Sequence, residues 1–134
     1  MADEKKYKIT IVDDDDFLVD MYATKFASVN VAAEGCKSGV SLIEKLKSDY
    51  RPNLILLDIV MPGMDGVETL RNIRKEKLAE GVPVVMLTNQ NDEKNIADAK
   101  ALGISGYIVK SAATPSEVVA EVLKILEDPN YKLA

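Results

Sequence analysis

Histidine and tryptophan are absent from this 134-residue chain, and cysteine occurs once, at Cys36. Without histidine, any mechanism that needs an imidazole base, nucleophile or ligand from this chain is excluded. A lone cysteine forms neither an internal disulfide nor a thiolate metal cluster. The expected setting is therefore cytoplasmic, with Cys36 a buried strand-end residue rather than a reactive thiol. No apolar stretch approaches the roughly 18 residues of a membrane span, and the opening Met-Ala-Asp-Glu-Lys-Lys lacks the apolar segment of a signal peptide. Positive charge is also short: 17 Lys and Arg stand against 22 Asp and Glu, a net −5, which argues against nucleic acid as the main partner.

Hydrophobic residues make up 47% of the chain and charged residues 29%, the balance of a globular domain rather than a disordered one. The length predicts a single domain over 1–134, with its core about residues 6–128 and short tails. Four short apolar runs each end on a polar residue. Ile9–Val12 runs into Asp13-Asp14, Leu54–Leu57 into Asp58, Val84–Leu87 into Thr88, and Tyr107–Val109 into Lys110. Such runs, separated by helix-like stretches, predict fully buried parallel strands. A weaker strand is expected near Val31–Ala33, reaching toward Cys36.

Between the strands the apolar spacing is helical. Phe17, Leu18, Met21, Tyr22 and Phe26 form one stripe; Val40, Leu42, Ile43 and Leu46 follow Ser38-Gly39; Val67, Leu70 and Ile73 lead on toward Leu78. A fourth helix is predicted from Asn91-Asp92-Glu93 to Leu102-Gly103, with glycine at the stop. The last carries the clearest start signal: Thr114 as N-cap, Pro115 at the first position and Glu117 as capping-box partner, with Asp128-Pro129 as the stop. Five strands alternating with five helices predict a doubly wound α/β fold, strand order 2-1-3-4-5. Only a short tail follows the last helix, so no output domain is expected.

In an open parallel sheet, ligands bind beyond the carboxyl ends of the strands, so the four polar ends converge. Asp13, Asp14 and Asp58 put three carboxylates in one cleft. Two unit charges about 4 Å apart repel by about 4 kcal/mol at an effective dielectric near 20. A hard cation removes that repulsion, and carboxylates with carbonyls and waters suit magnesium, with manganese as a substitute. Asp58, followed by an open Pro-Gly loop, is placed to attack a phosphoryl group and form an acyl phosphate. Lys110 and the metal would neutralise the transferring oxygens, and the Thr88 hydroxyl would hydrogen-bond one of them. Each residue also has a plainer reading: Asp58 as a turn residue, Asp13 to Asp16 as a solvated acidic turn before a helix, Thr88 as a strand former, Lys110 as a solvated charge.

Asp13-Asp14, the segment from Leu56-Leu57-Asp58 through Pro62-Gly63-Met64-Asp65-Gly66, Met86-Leu87-Thr88 and Gly106-Tyr107-Ile108-Val109-Lys110 together resemble a response-regulator receiver domain of the stand-alone, chemotaxis-regulator type, with a flavodoxin-like fold. The resemblance implies Asp58 as phosphoacceptor, Asp14 as direct metal ligand, Asp13 as a second acid acting through water, and the Val60 carbonyl as backbone ligand. It implies Thr88 as the switch hydroxyl, Lys110 as phosphoryl partner and Tyr107 as the aromatic that follows Thr88 inward. Val60 and Gln90 occupy the positions that tune dephosphorylation in the family. Valine cannot orient a water, so slow self-dephosphorylation is expected. The family usually carries proline after the lysine, whereas Ser111 stands here. A non-prolyl cis bond costs about 3–4 kcal/mol, against about 0.5–1 for a prolyl one, so a trans Lys110–Ser111 peptide is expected.

The implied function is phosphorylation-dependent two-component signalling rather than conventional enzymology. A phosphohistidine of a sensor kinase or phosphotransfer protein would be the donor, and a protein target would dock on helix 4, strand 5 and helix 5, with neither nucleic acid nor membrane as partner. Two rivals are a pseudo-receiver that binds without phosphorylation and a phosphohydrolase of the haloacid dehalogenase type. In the latter the nucleophile follows the first strand and the metal acids come late, the reverse of the order here.

Overall fold

The computed structural model describes residues 6–89 and 92–132. Five parallel strands form one sheet in the order β2-β1-β3-β4-β5: β1 (Tyr7–Val12), β2 (Val31–Cys36), β3 (Leu54–Asp58), β4 (Val84–Thr88) and β5 (Gly106–Val109). The helices α1 (Asp16–Ala27), α2 (Gly39–Lys47), α3 (Gly66–Lys75), α4 (Glu93–Leu102) and α5 (Pro115–Glu127) follow in strict alternation, as the periodicity predicts. β3 and β4 are buried at every position, because helices cover both faces of the sheet.

Strand pleating splits the core into two layers. Ile9, Ile11, Leu54, Leu56, Val85 and Leu87 pack with Tyr22 and Phe26 of α1 and with the apolar face of α5. Val12, Ile55, Leu57 and Met86 pack on the other side with α2 and α3 and with Ala99 of α4. Ala99 is the one residue of α4 that is fully buried, so this helix is the most lightly held of the five. Its C-terminal end is fastened from outside. Arg74 of α3 donates from Nε to the Leu102 carbonyl at 3.1 Å and from Nη2 to the Gly103 carbonyl at 2.7 Å.

Helix starts are closed by side-chain N-caps, predicted from the sequence at Thr114. Asp15 accepts from the backbone N–H groups of Phe17 and Leu18, Ser38 from Ser41, and Asp65 from Glu68. The Thr114–Glu117 capping box is formed in full. α4 differs: the side chain of its N-cap residue, Asp92, accepts from no backbone N–H of the helix.

Two details depart from expectation. Phe17 is 80% exposed, because the buried stripe of α1 runs through Leu18, Tyr22 and Phe26 and leaves position 17 on its flank. α3 stops at Lys75 rather than reaching Leu78, where left-handed Lys77 (φ 56°) and Ala79 (φ 49°) turn the chain; Leu78 still packs on the core from that turn. α4 begins at Glu93, within the predicted start Asn91-Asp92-Glu93, of which Asn91 lies outside the described residues.

One glycine governs how α3 meets β3. The Gly66 N–H donates to the Ile59 carbonyl at 2.7 Å, and a Cβ at Gly66 would lie 2.2 Å from the Asp58 carbonyl oxygen and 2.8 Å from the Ile59 Cα. Those neighbours are backbone and cannot step aside cheaply. Gly66→Ala should therefore lower unfolding stability in urea by about 2–4 kcal/mol. Gly63→Ala, at φ 76° in open space, should cost about 1 kcal/mol.

Candidate functional site

Sheet register brings the four strand ends together. Val12 pairs with Leu57, Asp58 with Leu87, and Thr88 with Val109, so the residues just past each run share one edge. The Asp13 N–H donates to the Cys36 carbonyl and the Ile59 N–H to the Leu87 carbonyl, which holds the first loop residues in sheet-like register. Asp13 is 1% exposed and Asp58 3%, whereas Asp14 stands in solvent at the mouth. One carboxylate oxygen from each of the three lies within 4.8 Å of the others.

Lys110 is the counter-charge. Its Nζ sits 3.2 Å from Asp13 Oδ2 and 3.1 Å from Asp58 Oδ1. Burial drives the Asp58 carboxyl up to about 6, helped by the Asp13 charge and opposed by Lys110 and by a backbone hydrogen bond at Val60. Burial works against the Lys110 charge too, but Asp58 and Asp13 together hold its ammonium above the usual lysine range. The acidic run divides its labour. Asp13 and Asp14 belong to the cleft, Asp15 caps α1, and Asp16 pairs with Lys37 on the surface at 3.3 Å. The solvated-turn reading holds for the second pair alone.

Three carboxylates against one ammonium leave two negative charges uncompensated when all are ionised. Hard oxygen donors at this spacing fit a divalent cation such as magnesium, and the fit rests on Asp13, Asp14 and Asp58. The Thr88 hydroxyl is engaged within the loop that leads from β4 to α4. It donates toward the Asn89 carbonyl at 3.1 Å and Asp92 Oδ2 at 3.2 Å. Tyr107 is half-buried against the core, with the Lys100 ammonium 5.2 Å from its ring centroid. After Lys110 the chain enters a single 3₁₀ turn, Lys110–Ala112, which the sequence pattern did not signal. No cis peptide occurs among the described residues, so the Lys110–Ser111 bond is trans as expected. The Val60 side chain is 55% exposed at the rim. Gln90 lies outside the described residues. Cys36 is buried at the end of β2, and burial raises its thiol above the usual range.

The family model for the response regulator receiver domain matches residues 9–123. The chain belongs to that family. Among curated relatives, the transcriptional regulatory protein ResD of Bacillus subtilis is 35% identical over 127 residues, covering 94% of this chain and 50% of ResD. The DNA-binding response regulator MtrA of Mycobacterium tuberculosis H37Rv is 32% identical, covering 90% of this chain and 50% of MtrA. The chain thus spans about half the length of the curated relatives it matches. Among solved structures, the CheY-like receiver domain protein of Methanospirillum hungatei has a TM-score of 0.81 at 24% identity, covering 91% of this chain and 94% of that one. Chemotaxis protein CheY4 of Vibrio cholerae has 0.79 at 24%, covering 89% and 98%. These two support the fold. The receiver domain is a component of two-component signalling systems, and receiver domains typically bind magnesium.

The raised Asp58 carboxyl has a thermodynamic sign. Between the ordinary carboxylate range and about 6, the folded receiver holds a proton on Asp58 that the unfolded chain has released. Stability therefore falls as pH rises through that window, and the loss is complete above it. In chelator, Asp58→Asn should stabilise the protein by on the order of 1–3 kcal/mol near pH 7.5 and by almost nothing near pH 4, read from urea midpoints at each pH.

Proposed function

We propose that this receiver accepts a phosphoryl group on Asp58 from a phosphohistidine of a sensor kinase or phosphotransfer protein, and signals by switching a protein-binding surface. The observation that carries the reading is Asp58 itself. It is a buried carboxylate at the end of the central strand, 3.1 Å from an ammonium and beside two further acids. In the transfer, an Asp58 carboxylate oxygen forms a bond to phosphorus while the bond from phosphorus to the donor imidazole nitrogen breaks, and that nitrogen leaves with its electron pair. Asp14, Asp58, the Val60 carbonyl and, through water, Asp13 would hold magnesium, which when bound would supply positive charge to offset that of the phosphoryl oxygens. Lys110 neutralises charge on the same group, and Thr88 turns to donate its hydroxyl to a phosphoryl oxygen. Tyr107 then follows Thr88 inward.

The protein catalyses its own modification and turns over no separate substrate. Exposed Phe17, in the first turn of α1, and exposed Val60, two residues after Asp58, are both apolar and support docking by another protein. The output surface is α4, β5 and α5, where an open groove is lined by Tyr107, Val109, Ala112, Ala113 and Tyr131. The reading includes a cytoplasmic setting and action as a free-standing regulator, with partners that are proteins. The half-length coverage of the curated relatives raises the other arrangement, a receiver joined to an output domain; the mass of the native protein decides between them.

Incubation with magnesium and acetyl phosphate, followed by intact-mass measurement, should show one phosphoryl adduct that Asp58→Asn abolishes. Lys110→Ala should slow its formation by roughly 10- to 100-fold. An unmodified wild type under these conditions would favour the pseudo-receiver. Once formed, the adduct should decay slowly without a phosphatase, because the apolar Val60 side chain offers no hydrogen bond to an attacking water. Val60→Asn should shorten its lifetime, measured by the same mass shift over time.

A further inference from the structure

α4 begins with an aspartate that does not cap it. Aspartate is among the best N-cap residues, and the N-cap residues of α1, α2, α3 and α5 all bond their helices through side chains. Asp92 is engaged by side chains instead of by backbone N–H groups. Its Oδ2 lies 3.2 Å from the Thr88 hydroxyl, and its Oδ1 accepts from Asn95 Nδ2 at 2.6 Å. The Thr88 hydroxyl has one proton for two acceptors, the Asn89 carbonyl and Asp92. Thr88 is buried and Asp92 half-buried, so a lost bond between them is not simply replaced by bulk water.

We infer that Asp92 is a positioning residue for Thr88 and a latent N-cap of α4: it holds the hydroxyl away from Asp58 in the resting protein, and turns to cap α4 when Thr88 leaves it. The inference rests on the proposed phosphorylation of Asp58 for what draws Thr88 away. The bond between Thr88 and Asp92 and the missing cap are two sides of one geometry. While the carboxylate points at Thr88, the Lys94 and Asn95 N–H groups at the head of α4 have no side-chain acceptor from their N-cap residue. Once Thr88 donates to a phosphoryl oxygen, Asp92 loses that donor, and the helix N-terminus, with its free N–H groups and positive dipole end, is the nearest favourable place for its charge. A rearrangement at Asp58 thereby becomes a firmer first turn of the helix on the output face.

Amide hydrogen exchange on the full chain tests this, with magnesium and beryllium trifluoride as the phosphoryl mimic. In wild type, the mimic should slow exchange at Lys94 and Asn95 by about fivefold, the size expected of one N-cap. Asp92→Ala should take up the mimic and show no slowing there. Thr88→Val, which removes the hydroxyl and keeps the shape, should show the slowed exchange with no mimic present. The inference is overturned if wild type binds the mimic without slower exchange at these amides, if Asp92→Ala slows equally, or if Thr88→Val exchanges like resting wild type. Thr88→Ala serves in place of the valine variant should that one not fold. If wild type takes up no mimic, the phosphorylation reading fails, and the Thr88 variants alone decide for or against the latent cap.

Discussion

The Lys110 ammonium, shared between Asp13 and Asp58, is the interaction on which the cleft depends. Both carboxylates are buried by the closure of five strands and their loops, and neither has an alternative cationic side chain among the described residues. An isolated buried carboxylate is costly to ionise. One ammonium between two acids lowers that cost without removing it, which is why the Asp58 carboxyl rests well above its ordinary range. The remaining imbalance is what makes the cleft receptive to added positive charge, and the shape of the sheet determines where that charge can enter. Asp14, in solvent at the mouth, marks the entry side.

Much of this was legible in the sequence because fully buried strands leave an unusually plain trace. Leu54–Leu57 and Val84–Leu87 could hardly be other than central strands, and once the order 2-1-3-4-5 follows from the alternation, the meeting of Asp13, Asp58, Thr88 and Lys110 follows from topology. Helix starts were legible where a side chain announces them, as at Thr114-Pro115-Ser116-Glu117. What stayed hidden depends on rotation or on tertiary contact. Phe17 has the composition of a core residue, yet its angular position on α1 leaves it outside. The end of α3 is set by left-handed Lys77 and Ala79, residue types that carry no turn signature. The 3₁₀ turn after Lys110 and the hydrogen bond from Thr88 to Asp92 are likewise products of the assembled loops, with no local pattern to betray them.

The same contrast separates the parts of the site by their tolerance. Asp13, Asp58 and Lys110 hang from strand ends whose register is locked on both faces by apolar side chains. Thr88 also ends a buried strand, but its hydroxyl answers to a loop and to a lightly packed helix. Rigid placement of the groups proposed to react beside loose placement of the one proposed to respond is what a switch requires. The first set must not move when chemistry occurs, and the second must have somewhere else to go.

The guanidinium of Arg74 gives that looseness a direction. By gripping the Leu102 and Gly103 carbonyls from α3, it pins the far end of α4 to a helix that is itself locked against β3. A rod pinned at one end and lightly seated along its length does not slide; it swings. In the proposed switch, displacement at the head of α4 would therefore grow with distance from Gly103, by more at Ile96 than at Lys100. A partner docked on the proposed output face would thus meet a change of angle rather than a change of depth.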